Sequence, residues 1–230
     1  MQSTTEVLPH AWGSKTITLS EATAFAQNIG VSAEDRTIIA KNLATFPPTI
    51  EVRGLFFEGM FRILEQRFGA AGADQVRRAA GIGPHIVPFR HYPHRDFYRL
   101  YYMATPRLQP GVPFSTGLRR VSQTFFPIFR SSLLGRTMSA LMGEEPKTIL
   151  PLLSKAYNLS VNGNSHRSEM TGENELTWHC EVEPVIHYEE TFAGIVEGTM
   201  TELQRKRLKV VATPQPSKNS FSNYKIVIRW

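Results

Sequence analysis

The hydrophobic period of this chain changes near residue 158, and that change limits its fold more than any motif does. Upstream, apolar residues recur three and four apart, the spacing of one helical face. Downstream they alternate, the spacing of a half-buried strand. Ser20 reads as the cap of a helix over 21–29 that stops at Gly30, and Ser32 as the cap of a helix over 33–45 ended by Pro47 and Pro48. The stretch 51–68 opens the core, with Phe56, Met60, Ile63 and Leu64 at helical spacing; Gly69 and Gly72 close it before a short helix over 73–80. A Gly- and Pro-rich loop follows over 81–93. Helices are then expected from Asp96 to Leu108, from Ser115 to about Met142 with interruptions at Pro127 and Gly135, and from Glu144 to near Tyr157.

Past the change of period, 159–161 and 176–182 read as strands. The second alternates Leu176, Trp178, Cys180 and Val182 on one face with Thr177, His179 and Glu181 on the other. An amphipathic helix over 188–206 carries Phe192, Ile195, Val196 and Leu203 on one side, and strands over 208–213 and 223–229 form a hairpin. The order predicts an α+β fold: an N-terminal helical layer packed on a small C-terminal antiparallel sheet with one amphipathic helix. Residues 1–50 read as a helical appendage to a domain over 51–230.

Composition bounds the class. Apolar residues make up 41% and charged residues 20%, which is ordinary for a globular chain. No apolar run approaches the roughly 18 residues that span a bilayer, and the N-terminal stretch lacks the basic start and apolar core of a secretory signal. Cys180 is the only cysteine, so no internal disulfide forms, and a reducing cytoplasm is expected. The net charge of +6 is uneven: residues 51–150 carry 14 basic and 7 acidic side chains, and 13 of those 14 are Arg. Arg suits bidentate pairing with carboxylate or phosphate. Structural ion pairs and an anion site or acidic partner both account for this excess. Without a helix-turn-helix, finger spacing or a basic run interleaved with aromatics, nucleic acid is not an expected partner.

No Gly-x-Ser-x-Gly, His-Glu-x-x-His, P-loop or Gly-x-Gly-x-x-Gly occurs. His91 and His94 are two imidazoles in one Pro-containing turn, a weak metal candidate because a site needs three or four ligands. His179 and Cys180 point to opposite faces of their strand. Cys180 reads as core beside Trp178, with a heme-iron thiolate or reactive thiol as the alternative. An acid/base catalytic set would draw on His179, His187 and Glu197. Gly194 and Gly198 lie on one face of a helix, where each costs about 1 kcal/mol against Ala, so close packing, a ligand or a subunit interface must compensate. Aromatics are dense over 89–129. Phe97, Tyr101 and Phe125 are candidate walls of a mostly apolar pocket, and Arg99, Arg119, Arg120 and Arg136 are candidate partners for an anionic head group.

Several stretches carry a resemblance. Val52-Arg-Gly-Leu-Phe-Phe-Glu-Gly59, Tyr92-Pro-His-Arg-Asp-Phe97, Leu118-Arg-Arg120, Leu134-Gly-Arg136, Ala156-Tyr157, the 194–198 helix and Ile228-Arg-Trp230 resemble a family of roughly 200-residue proteins of unknown function, largely restricted to myxobacteria, over about 50–230. More distantly, the order of elements looks like the superfamily of heme-nitric-oxide/oxygen-binding domains, four-vinyl-reductase-type sensor domains and TRAPP subunits. That likeness implies a ligand buried between helices and sheet: a heme, a hydrocarbon or a fatty acyl chain. The heme branch's Tyr-x-Ser-x-Arg motif is absent, Asn164-Ser-His-Arg167 is a poor substitute, and no histidine falls in the 97–108 helix where a proximal ligand is expected.

The leading expectation is a non-catalytic, sensor-like domain that buries a small apolar or amphipathic ligand, with no cofactor assigned. A homodimerising interaction module is the second reading. An atypical enzyme of natural-product metabolism, or a heme-binding sensor, is the third.

Overall fold

The computed structural model describes residues 16–132, 135–137, 145–204, 208–217 and 221–230. Its elements are α1 (Leu19–Gln27), α2 (Ala33–Thr45), β1 (Glu51–Arg53), α3 (Leu55–Ala79), β2 (His91–Pro93), α4 (His94–Leu108), α5 (Phe114–Ser122) and α6 (Phe125–Ser131). There follow α7 (Pro146–Ser160), β3 (Val161–Asn162), β4 (Ser165–Gly172), β5 (Glu175–Val182), α8 (Tyr188–Glu202), β6 (Lys209–Gln215) and β7 (Ser222–Arg229).

Local chemistry sets most boundaries. Thr18, not Ser20, caps α1: its hydroxyl accepts from the Glu21 N–H at 3.2 Å, and the Glu21 carboxylate accepts from the Thr18 N–H at 2.7 Å. Ser32 caps α2 as expected, accepting from the Asp35 N–H at 3.0 Å. Gly69 takes φ 71°, ψ 172°, outside the helical region, so α3 is two helical segments that meet at a break where the sequence expected one, the second running to Ala79. The expected helix from Ser115 breaks at Gln123–Thr124 instead of Pro127. Pro127 is the third residue of α6, where its missing N–H had no intrahelical partner to lose. The rest of that expected helix, at 133–134 and 138–144, lies outside the described residues. Helix α7 runs on to Ser160 and takes Leu159 from the expected strand.

Strands β4–β5–β7–β6 form one sheet, antiparallel throughout. Pairing Leu176 with Ile228 and Trp178 with Ile226 puts four side chains, all at most 1% exposed, on one face. Helix α8 packs on that face, with the Phe192 ring edge-on to Trp178 at 4.9 Å between centroids. A second, small sheet places β1 between β2 and β3 and so ties the start of α4 to the end of α7. The α+β architecture expected from the sequence is therefore the one observed. Helices α1 and α2 share its single core: Ile39 and Leu43 are buried, Phe46 packs on His94 and Tyr98, and Arg99 lies over the Phe25 ring at 4.9 Å.

Candidate functional site

Helix α4 runs through the middle of the core, and ten of its fifteen residues are buried. Where it faces α6, α7, α8 and the edge of the sheet, the packing leaves two cavities of about 40 Å³ each. They share the walls formed by Phe56, Phe125, Tyr157 and Ile195. The first is lined by further apolar groups, among them Phe126, Phe129 and Leu153. The second borders α4 through His94, Phe97 and Tyr101 and is polar on its far side, where Asn164, His166, Tyr188 and Thr191 reach it.

That polar wall has a definite electrostatic character. His94 Nδ1 stands 2.7 Å from Glu183 Oε1, with the two side chains 8% and 1% exposed. Burial, the largest influence, pushes the Glu183 carboxyl up, but His94 beside it, by charge and hydrogen bond, together with hydrogen bonds from backbone and Asn164, holds it on balance below its usual value. His166 sits on β4 at 5% exposure, and burial drives its imidazole down to about 4, so the ring is neutral at pH 7. Its Nδ1 accepts from Trp178 Nε1–H at 3.2 Å, which leaves the ring proton on Nε2. That Nε2–H has no hydrogen-bond partner, and neither does Asn164 Oδ1, whereas the Tyr188 hydroxyl meets the Cys180 thiol. Buried polar groups are nearly always paired. Two unpaired ones, an acceptor and a donor, stand on one cavity wall.

The residues singled out in the sequence divide between this site and elsewhere. Phe97, Tyr101 and Phe125 line the second cavity together, with Tyr101 and Phe125 centroids 5.3 Å apart. Tyr101 is fixed there because its hydroxyl donates to the Leu118 carbonyl at 2.7 Å and meets Ser122 Oγ at 2.6 Å. His94 also lines it, bound to Glu183 and not to His91. Among the described residues no group of three or more His, Cys, Asp or Glu is placed to hold a metal ion. None of the four arginines lines either cavity. Arg99 packs on Phe25, Arg119 pairs with Glu190 and Glu197, and Arg120 and Arg136 are exposed.

Gly194 and Gly198 serve packing. A Cβ on either would stand 2.1 Å from a backbone oxygen of α5 or its cap, at Arg119 and Gln123 respectively. The catalytic candidates are not brought together. His179 faces Glu169 at 4.0 Å on the outer face of the sheet, His187 faces Asp35 of α2 at 3.2 Å, and Glu197 pairs with Arg119. Cys180 is buried, and its thiol is pushed up to about 11, mainly by burial, so it stays protonated.

Sequence reasoning missed Glu183, His166, Asn164 and Tyr188. Tyr188 was within reach: it precedes Phe192 and Ile195 by four and seven residues, so the apolar stripe of α8 leads back to it.

With this geometry in view, the family can be stated. A family model described as a protein of unknown function, DUF2378, matches residues 47–230. The chain belongs to that family. The match begins within a few residues of the boundary the sequence motifs suggested, and no curated protein matches the chain. Among solved structures, the DUF2378 fold is similar to an oxygen-binding H-NOX domain related to soluble guanylate cyclases, solved as its oxygen complex. The TM-score is 0.60 at 16% identity, over 77% of this chain and 94% of that one. A structure described under heme redox potential and protein-induced porphyrin distortion gives a TM-score of 0.61 at 15% identity, over 77% and 99%. A variant H-NOX of T. tengcongensis gives 0.50 at 18% identity, over 77% and 96%. At these identities the likeness is one of fold. It bears out the distant resemblance to the heme-nitric-oxide-binding superfamily at that level. Among the described residues, no helix is long and apolar enough to cross a membrane.

Proposed function

We propose that this chain is a small-molecule-binding, sensor-like domain whose ligand occupies the buried space between the helical layer and the sheet. The observation that carries this reading is the cavity wall at which Asn164 Oδ1 and His166 Nε2–H are buried without partners. Such groups cost roughly 1–3 kcal/mol each when left unpaired, and a bound molecule recovers that cost. The wall is shared by elements of both layers: α4 and α8 on one side, β4 and the β3–β4 turn on the other. A ligand there acts by favouring one arrangement of the layers, which requires different affinities for the two arrangements. The single buried thiol fits a cytoplasmic setting.

Heme is the group that one fold neighbour's description names, and the residues here do not fit it. Each cavity is about 40 Å³, against the roughly 300–1,000 Å³ of pockets for larger organic ligands. The rings of Phe97, Tyr101 and Phe125, 5.3–6.1 Å apart, occupy the space instead. The reading is therefore of a small organic ligand.

Native mass spectrometry of the freshly purified protein, paired with its visible absorption spectrum, tests this. The expected result is an added mass of a small organic molecule that is lost on denaturation, with no Soret band. A colourless, unliganded mass at twice the monomer would favour the interaction-module reading instead.

A further inference from the structure

The proposed ligand site has a head-group chemistry, and the inference here rests on that site being one. Glu183 is a buried carboxylate, an acceptor only, and the Asn164 amide stands beside it as one of the contacts that hold it ionised. An amide facing a carboxylate turns its NH₂ toward it, which leaves Oδ1 as the free end. Oδ1 is the Asn164 atom that is buried and unpartnered. Two residues on, His166 is held by Trp178 in the tautomer that presents Nε2–H, also buried and unpartnered. One short stretch of backbone thus offers the same cavity one fixed acceptor and one fixed donor. The neighbouring cavity, which shares Phe56, Phe125, Tyr157 and Ile195 with it, is lined almost wholly by apolar side chains.

We propose that this pair of cavities selects a small uncharged molecule with an amide-type head and a short apolar tail. The head's carbonyl accepts from His166 Nε2–H, its N–H donates to Asn164 Oδ1, and the tail lies between α6, α7 and α8. Free carboxylates are disfavoured, because the His166 ring on the wall is neutral and the carboxylate of Glu183 stands directly behind the wall, against His94 and Asn164. Long acyl chains are excluded by volume, since each cavity is about 40 Å³.

The experiment uses the full chain with its histidine rings labelled with ¹⁵N, titrated with butyramide and, separately, with 2-pentanone. The two probes are isosteric; the ketone keeps the acceptor and lacks the donor. The expected result is saturable butyramide binding that moves the His166 Nε2 resonance, about tenfold tighter than 2-pentanone. An Asn164→Leu variant is expected to lose that preference while still binding the ketone. Equal affinity for the two probes in the unaltered protein would overturn the head-group assignment and leave the cavity reading standing. Binding of neither probe, or shifts away from His166, would overturn both. The comparison in the unaltered protein holds whether or not the variant folds.

Discussion

Two faces of α8 are buried in opposite ways. Toward α5, Gly194 and Gly198 let the helices touch backbone to backbone, and nothing is left over: each missing Cβ is replaced by a peptide oxygen. Toward α4 and the sheet, Tyr188, Thr191 and Ile195 border open space, and across it Asn164 Oδ1 and His166 Nε2 lack partners. A chain that closes one seam so tightly has the means to close the other, by one more methyl group or one fewer polar side chain. Cavity and glycine seam are both departures from the cheapest sequence, but only the seam repays its cost within the chain. The difference is what directs the proposed ligand to the second face.

Perturbing each region in turn sharpens the contrast. The largest effect is expected from Glu183→Leu, which leaves His94 buried with no counter-charge: a loss of about 3–5 kcal/mol in denaturant unfolding. A loss under about 1 kcal/mol would show that the pair is not formed. Gly198→Ala forces a Cβ onto the Gln123 carbonyl, and about 3 kcal/mol or more is expected from overpacking. If Gly198→Ala were neutral, the seam would have slack and the contrast with the cavity would dissolve.

Acid comes next. Unfolded, His166 takes up its proton near pH 6.5; folded, only near 4. Between those values the unfolded chain binds more protons, so stability falls as pH falls. The slope is about 1.4 kcal/mol per pH unit, for a total on the order of 3 kcal/mol. Glu183, held below its unfolded value, adds a loss of the same sign at lower pH. Unfolding free energies measured from pH 7 to 4 check this, and a flat profile would place His166 in water. The smallest effect is expected from Tyr188→Phe. Removing a buried hydroxyl that meets only the weakly hydrogen-bonding Cys180 thiol shifts the stability of the ligand-free protein by less than about 1 kcal/mol, in either direction. A larger loss would mean that the hydroxyl has a stronger partner within the protein.

How much of this was legible in the sequence differs by element. Strand β5 was, because Leu176, Trp178, Cys180 and Val182 alternate and are all buried. Strand β4 was not. Its residues Ser165–Gly172 include one apolar side chain of any size, Met170, because it is an edge strand held by polar contacts to α7. Those contacts are Ser154 Oγ to Ser168 Oγ at 2.9 Å and Asn158 with the His166 backbone at 2.8 and 3.0 Å. A strand without apolar alternation leaves no periodic signal. Missing β4 meant missing His166, and with it the polar half of the site. Glu183 left no trace either: it follows β5 directly, beside Pro184, and its burial depends on His94, nearly ninety positions upstream. The aromatic half was readable, since Phe97, Tyr101 and Phe125 are large, dense and on strongly periodic helices. The arginines misled for a physical reason. Arg in a helical protein serves surface ion pairs and ring stacking as readily as anion binding, and composition does not separate these uses.

The most direct test of the account is a high-resolution crystal structure of the protein purified without stripping, read at one atom, His166 Nε2. The account predicts non-protein density in the cavity within hydrogen-bonding distance of that nitrogen and of Asn164 Oδ1. A cavity collapsed onto its aromatic walls, with Nε2 donating to a protein group, would contradict it.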